Sequence, residues 1–285
     1  MISPEEERRL NAQAYVPEHL VGLMGLISRG EVFLQDDFLC LTRDNWVILV
    51  GYPYSGLFDS TRLEEAARGI IAAQKPEYLW GIGPQEFSFL AENITERESD
   101  YYYLLDLTDF QVPSSLKRCL VRAQAKLTVG PVKIFSPEHE LLTEEFLAQV
   151  PLPPRVAALY RAMPSYVPAA PAAFVLEARN QAGRLCAYYV LDLSARDFTT
   201  YLVGCYSRVY YEPYASDLLM AQAVELSLAE GKKSINLGLG VNPGIRRFKE
   251  KWGGRRARPY HFAEWRFARN ERPTLTQLLG RLLGQ

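Results

Sequence analysis

Cysteine and histidine are scarce in this chain of 285 residues, with four of the first and three of the second, and no Cys-x-x-Cys pair occurs. Cys40, Cys119, Cys186 and Cys205 are widely spaced, which gives no support to a zinc site and suits reduced thiols in a cytosol. No metal ligands are assigned. Cys186 and Cys205 fall in apolar, strand-like runs, as packed core thiols do. Long apolar runs are missing too: Trp46 to Val50 is among the longest, far short of the roughly 20 residues that span a bilayer. Met1 to Leu10 is charged, unlike a secretory leader, so a cytoplasmic protein is expected. Net charge is nearly absent, −1 at pH 7, which argues against an unselective nucleic-acid binder.

What is present is a soluble globular composition, 48% hydrophobic and 23% charged, at a length that suits two domains. Charge is unevenly placed. Lys232, Lys233, Arg246, Arg247, Lys249, Lys251, Arg255, Arg256, Arg258, Arg266, Arg269 and Arg272 are opposed locally only by Glu250, Glu264 and Glu271. Such a local positive field fits either a phosphate-bearing ligand or RNA end, or an ordinary solvated surface.

Residues 1–150 read as one unit: helices at Pro4 to Ala14 and Pro17 to Ser28, and strands at Val32 to Leu41 and Asn45 to Tyr52. A helix over Thr61 to Gln74, capped by Ser60 or Thr61, precedes short strands including Val132 to Phe135. Residues 151–171 are proline-rich and form the expected connection. Residues 172–285 read as three antiparallel strands, the amphipathic helix Ser216 to Glu230 with Asp217 on its wet side, a strand, a helix and a strand over Pro259 to Ala268.

The most informative stretch is Ser234 to Gly254. A strand runs into a glycine-bearing loop and then a helix with Asn242 as N-cap, Pro243 at the first turn and Gly253 just past the last. Ile245, Phe248 and Trp252 share one face. Leu63 to Gly83 and Met220 to Gly240 align without a gap as helix, basic turn, strand and Gly-x-Gly, which implies two copies of one unit.

Tyr201-Leu-Val-Gly-Cys205, Pro213-Tyr-Ala215, Asn236-Leu-Gly238 and Phe248-Lys249-Glu-Lys-Trp252-Gly253 together resemble the GNAT acyltransferase superfamily. The likeness is to its tandem-domain branch, with the Fem-type peptidoglycan-bridge aminoacyltransferases and lysyl-lipid transferase domains. Leu116 to Ala125 resembles the basic helix of Fem-type chains. The resemblance implies an α+β fold of two GNAT-like domains, each a mixed, mostly antiparallel sheet flanked by helices. It also implies acyl transfer from acyl-CoA (acetyl-CoA) to an amine of a small molecule or peptide. One departure is that Ser207 to Asp217 has no glycine where acetyl-CoA-using members carry a glycine loop for the pyrophosphate. An aminoacyl-tRNA donor, or a non-catalytic binding module, are the alternatives.

In that fold the acyl arm enters where two parallel strands splay, here Tyr201 to Tyr206 and Ser234 to Leu237. The implied catalytic groups are Asn236, with Tyr206 or Glu212 passing the proton. Cys205 meets the arm, and Arg208, Ser216 and Asp217 lie nearest the donor phosphates. Asn242, Arg246, Arg247 and Lys249 are the remaining donor-binding candidates, with surface or packing roles as the alternative for each. Gly81 to Pro84, the degenerate copy, is expected to shape one wall of the cleft.

Overall fold

The computed structural model describes residues 2–55 and 57–267. Helices α1 (Pro4–Gln13) and α2 (Val21–Ser28) flank a 3-10 turn at Pro17–His19 and lead into β1 (Glu31–Gln35), β2 (Phe38–Arg43) and β3 (Trp46–Val50). The expected strand over Val32 to Leu41 is two strands, because Asp36 takes a left-handed φ of 56° and turns the chain. Next come α3 (Ser60–Gln74), β4 (Tyr78–Gly83), β5 (Ile94–Asp106), α4 (Ser114–Gln124) and β6 (Leu127–Val132). The cap of α3 is Asp59, whose carboxylate accepts from Thr61 N, and not Ser60 or Thr61. The strand expected at Val132 to Phe135 lies earlier, as β6.

Helices α5 (Pro137–Gln149) and α6 (Pro154–Ala169) follow, then β7 (Ala173–Asn180), β8 (Leu185–Asp192) and β9 (Phe198–Tyr206). The chain closes with α7 (Ala215–Ala229), β10 (Ser234–Leu239), α8 (Pro243–Lys251) and β11 (Arg255–Arg266). Of the basic tract, Arg269 and Arg272 lie outside the described residues, as do Glu271 and the expected strand end at Ala268. Helix α6 continues through Pro164 and Pro168 because Tyr160, Met163, Tyr166 and Val167 anchor one side of it in the core.

The strands form one continuous 11-stranded sheet in the order β1-β2-β3-β4-β11-β5-β10-β9-β8-β7-β6. Two separate sheets were expected, and a single one is found. The reason is β5, which is long enough to pair β11 and β10 along its opposite edges, both antiparallel. Two similar units are visible in the sheet. The unit β3-α3-β4 and the unit β9-α7-β10 are each a parallel strand pair joined through a helix. The strand after each unit crosses over: β5, which follows β4 in the chain, pairs β10, while β11, which follows β10, pairs β4.

Apolar clusters cover both faces. On one side of the second half, Leu116, Leu120, Leu219, Ala223 and Trp252 of α4, α7 and the end of α8 close over β8 and β10. On the other, Phe146, Tyr160, Met163 and Val167 of α5 and α6 cover Tyr188, Val190 and Cys205. Every residue of β8 is buried, as a central strand with helices on both faces requires.

Candidate active site

The two parallel pairs differ in one decisive respect. Strands β3 and β4 stay in register from Trp46↔Tyr78 to Val50↔Ile82. Strands β9 and β10 pair only at Phe198↔Ser234, Thr199↔Ile235 and Thr200↔Asn236, then part. Bulges on both strands bend them at that point. Against β8, Val203 faces Val190 but Tyr201 faces Leu191, so Leu202 is an extra residue in β9. Against β5, the register of β10 shifts between Asn236 and Leu239, where Gly238 takes φ +72°. The Asn236 side chain fixes this kink by accepting Gly238 N at 2.9 Å.

A cavity of about 640 Å³ fills the opening. Its walls come from both faces of the sheet: Ser216, Met220, Phe248 and Lys249 on the α7–α8 side, and Phe146, Arg155, Tyr160 and Glu18 on the other. It is a largely apolar passage through the sheet between β9 and β10. Gly204 keeps the β9 wall flat, since a Cβ there would run into the Tyr201 hydroxyl and the Tyr189 ring.

Few polar groups face this passage. Lys249 is 4% exposed, and its ammonium donates to Leu239 O at 2.5 Å. Burial pulls its pKa down to about 7, with Asp100 only partly opposing. Glu18 and the Tyr102 hydroxyl are buried against each other, and burial raises the Glu18 carboxyl above the usual range, with its contact to Tyr102 only partly opposing. Arg155 is held by Glu98 and lies 3.8 Å over the Phe262 ring. Cys205 lines the passage, but burial lifts its thiol to about 12, so it packs and is not a thiolate nucleophile.

The structure brings Cys205, Tyr206, Ser216, Asn242 and Lys249 to this lining. Asn242 caps α8 by accepting Ile245 N at 2.9 Å. Asn236 sits just behind the lining with its Nδ2 buried and unpartnered. Asp217 is buried, not on a wet face: it accepts Trp252 Nε1 at 2.9 Å and pairs with Lys251 at 2.6 Å, fastening α7 to α8. Glu212 lies off the lining and pairs with Lys126 at 3.4 Å. Arg208 and Arg247 are exposed and also off the lining. Arg246 borders a separate, smaller recess with Ser99, Asp100, Arg256 and His261. Gly81 is likewise remote, with Phe87 and Trp265 filling the space beside it.

No family model matches the chain, and no curated protein does. Solved structures do. L-PGS from Bacillus licheniformis covers 100% of this chain with 98% of its own at a TM-score of 0.59 and 16% identity. FemX covers 100% with 99% of its own at 0.60 and 10% identity. A GCN5-related N-acetyltransferase from Kribbella flavida covers 90% with 95% of its own at 0.54 and 18% identity. The chain has the fold that these proteins share. At such identities the likeness is one of fold, and the chemistry has to come from the site.

The turn after β9 is where the resemblance read from the sequence would put the donor's phosphates. Here the donors at its β9 end are already taken. Glu145 of α5 accepts Arg208 N at 2.7 Å, Ser207 Oγ at 3.2 Å and, more weakly, Val209 N at 3.4 Å. The chain's own carboxylate therefore holds the β9 end of this turn, where the glycines that would let a pyrophosphate approach are also missing, while Ser216 and Asp217 at the start of α7 are not among its partners. A CoA pyrophosphate would find the Arg208 and Val209 amides already engaged. Sequence reading missed Glu18, Tyr102, Arg155 and Glu145, all of which reach the site from elements far away in the chain.

Proposed function

We propose that this chain transfers an acyl group from an activated ester to an amine in the passage between β9 and β10. The observation that carries this reading is the early parting of those strands around a cavity lined by a buried lysine near neutrality. The amine nitrogen attacks the ester carbonyl, a C–N bond forms and the C–O bond breaks. The proton lost from nitrogen leaves with the departing oxygen. Lys249, poised near pH 7, is suited to take that proton and return it. Tyr206, on the same lining, is the second candidate for this transfer.

The blocked turn favours an aminoacyl-tRNA over acyl-CoA as donor, with FemX and L-PGS as likenesses in fold. Exposed Lys117, Arg118 and Arg122 of α4 and Arg247 and Arg256 beside α8 supply cations on the α7–α8 face, with Arg255 adjoining them in the chain, where a polyanion can dock. The test supplies purified protein with a mixture of charged tRNAs, a panel of acyl-CoAs and a set of amines, and follows acyl-amine product by mass spectrometry. Product from charged tRNA, reduced by Arg255→Ala with Arg256→Ala and by added salt, is the expected result. No product from any donor overturns the enzyme reading; product from acyl-CoA alone overturns the donor assignment.

A further inference from the structure

The smaller recess beside Arg246 has no part in the reaction just described. It holds about 190 Å³ and is lined by Ser99, Asp100 and Tyr101 of β5, Arg246 of α8, and Arg256 and His261 of β11. The loop 240–242 stands between it and the passage. Val241 and Asn242 line the passage, while Gly240 lies against Asp100 and Arg246. A Cβ on Gly240 would stand 2.8 Å from Asp100 Oδ1 and 2.9 Å from Arg246 Nε, so a glycine is what lets the loop close on both. The recess is on the α7–α8 face, where Arg256 Nε donates to the Tyr103 hydroxyl at 3.1 Å.

Its cations are held in place but not neutralised. Among the described residues, neither Arg246 nor Arg256 belongs to an ion pair. The Arg256 guanidinium lies 5.6 Å from the centre of the Tyr101 ring, and with Nε on Tyr103 only its terminal nitrogens remain to meet a ligand. Glu250 attracts it from beyond ion-pair reach. His261 is oriented as well: Ser99 Oγ lies 3.0 Å from its Nδ1, and a hydroxyl donating there puts the ring hydrogen on Nε2. The carboxylate on the lining, Asp100, is spent on backbone, accepting Tyr101 N at 2.7 Å and Val241 N at 2.9 Å. Two guanidiniums and an imidazole against one engaged carboxylate leave an excess of positive charge and of N–H donors. A carboxylate ligand offers too few oxygens for three such groups, whereas a phosphate can meet them all and matches the planar fork of arginine. We infer that this recess binds the phosphate group of a ligand, apart from both the passage and the turn after β9. The inference does not rest on the transferase reading.

The test is calorimetric and needs no acyl donor. Methyl phosphate, dimethyl phosphate and acetate are titrated into wild type, Arg246→Gln, His261→Gln and Lys117→Ala. Wild type should bind one of the phosphate esters saturably and at least tenfold more tightly than acetate. Preference for methyl phosphate assigns a terminal phosphate, and preference for dimethyl phosphate assigns a bridging one. Arg246→Gln should weaken that ester at least tenfold and His261→Gln several-fold. Lys117→Ala, which removes a charge from α4 on the same face, should leave it unchanged. Absence of saturable ester binding, equal binding of acetate, or an unchanged affinity in Arg246→Gln overturns the inference. So does a loss in Lys117→Ala as large as that in Arg246→Gln, which would mean diffuse surface charge. Should Arg246→Gln fail to fold by its melting profile, folded His261→Gln decides, and an unchanged affinity there counts against the site. Phosphate binding without acyl transfer leaves the recess standing and removes the transferase; transfer with no Arg246-dependent phosphate binding does the reverse.

Discussion

Lys249 shows how burial converts an ordinary residue into a usable one. An exposed lysine near pH 7 is a fixed cation, whereas this one, 4% exposed, exchanges its proton there. The transfer rate should therefore rise with pH through a limb near 7, as the free amine forms. Lys249→Met should lose roughly a hundredfold or more in kcat, and Lys249→Arg should lose the limb, which pH–rate profiles of folded variants would read out. Sequence spacing found Lys249 but gave it the wrong environment: as one of a basic run it reads as a phosphate ligand, and only the packing of α8 against the bent β10 takes it out of water. Glu18 left no signal at all, because its setting depends on Tyr102 and Tyr260, far away in the chain.

His19 yields a stability prediction of known sign. Its ring is fully buried, and burial lowers its pKa to about 4. The unfolded chain takes up that proton near 6.5, so between the two values the unfolded state holds more protons and stability falls as pH drops. From pH 7 to 5 the loss is about 2 kcal/mol for this group. His139, also lowered by burial, adds in the same direction. Urea denaturation at the two pH values should show the drop, and His19→Gln should remove part of it.

At the scale of elements, regular features were legible and interruptions were not. Asn242, Pro243 and Gly253 marked the ends of α8 because capping is local chemistry. The proposed parting of β9 from β10 is present, but its cause, an extra residue at Leu202 and a kink at Gly238, depends on registers against β8 and β5 that no local pattern encodes. Gly238 offers a direct check. Its φ of +72° strains any residue with a Cβ, so Gly238→Ala should cost about 1 kcal/mol by denaturant titration and slow transfer more than it destabilises. The turn after β9 offers another. Glu145→Ala frees the amides of Arg208 and Val209, and the variant should bind CoA at least several-fold more tightly than wild type by calorimetry. Unchanged affinity would remove Glu145 as the determinant of donor choice.

For the whole molecule, the repeat seen in the sequence corresponds to the two parallel units, yet pairing across the midline is where sequence order misled. Helix and strand order follow the chain, whereas β5 and β11 find their partners in the opposite half. Without β11, residues 1–150 leave β4 with one bare edge; without β5 and β6, residues 172–285 leave β10 and β7 equally bare. Each piece made separately should show little cooperative unfolding by circular dichroism, and the intact chain should melt in one transition.

That reciprocal lending of strands also limits how the protein can move. Halves joined by a flexible connector can rock about a hinge to admit one reactant and then another. Here any such rocking would have to tear the ladders on both sides of β5, which lie in the middle of the sheet. On the transferase reading, admission of reactants then falls to the smaller parts that line the cavity, α5 and α6 on one side and α8 on the other, around a wall that stays still.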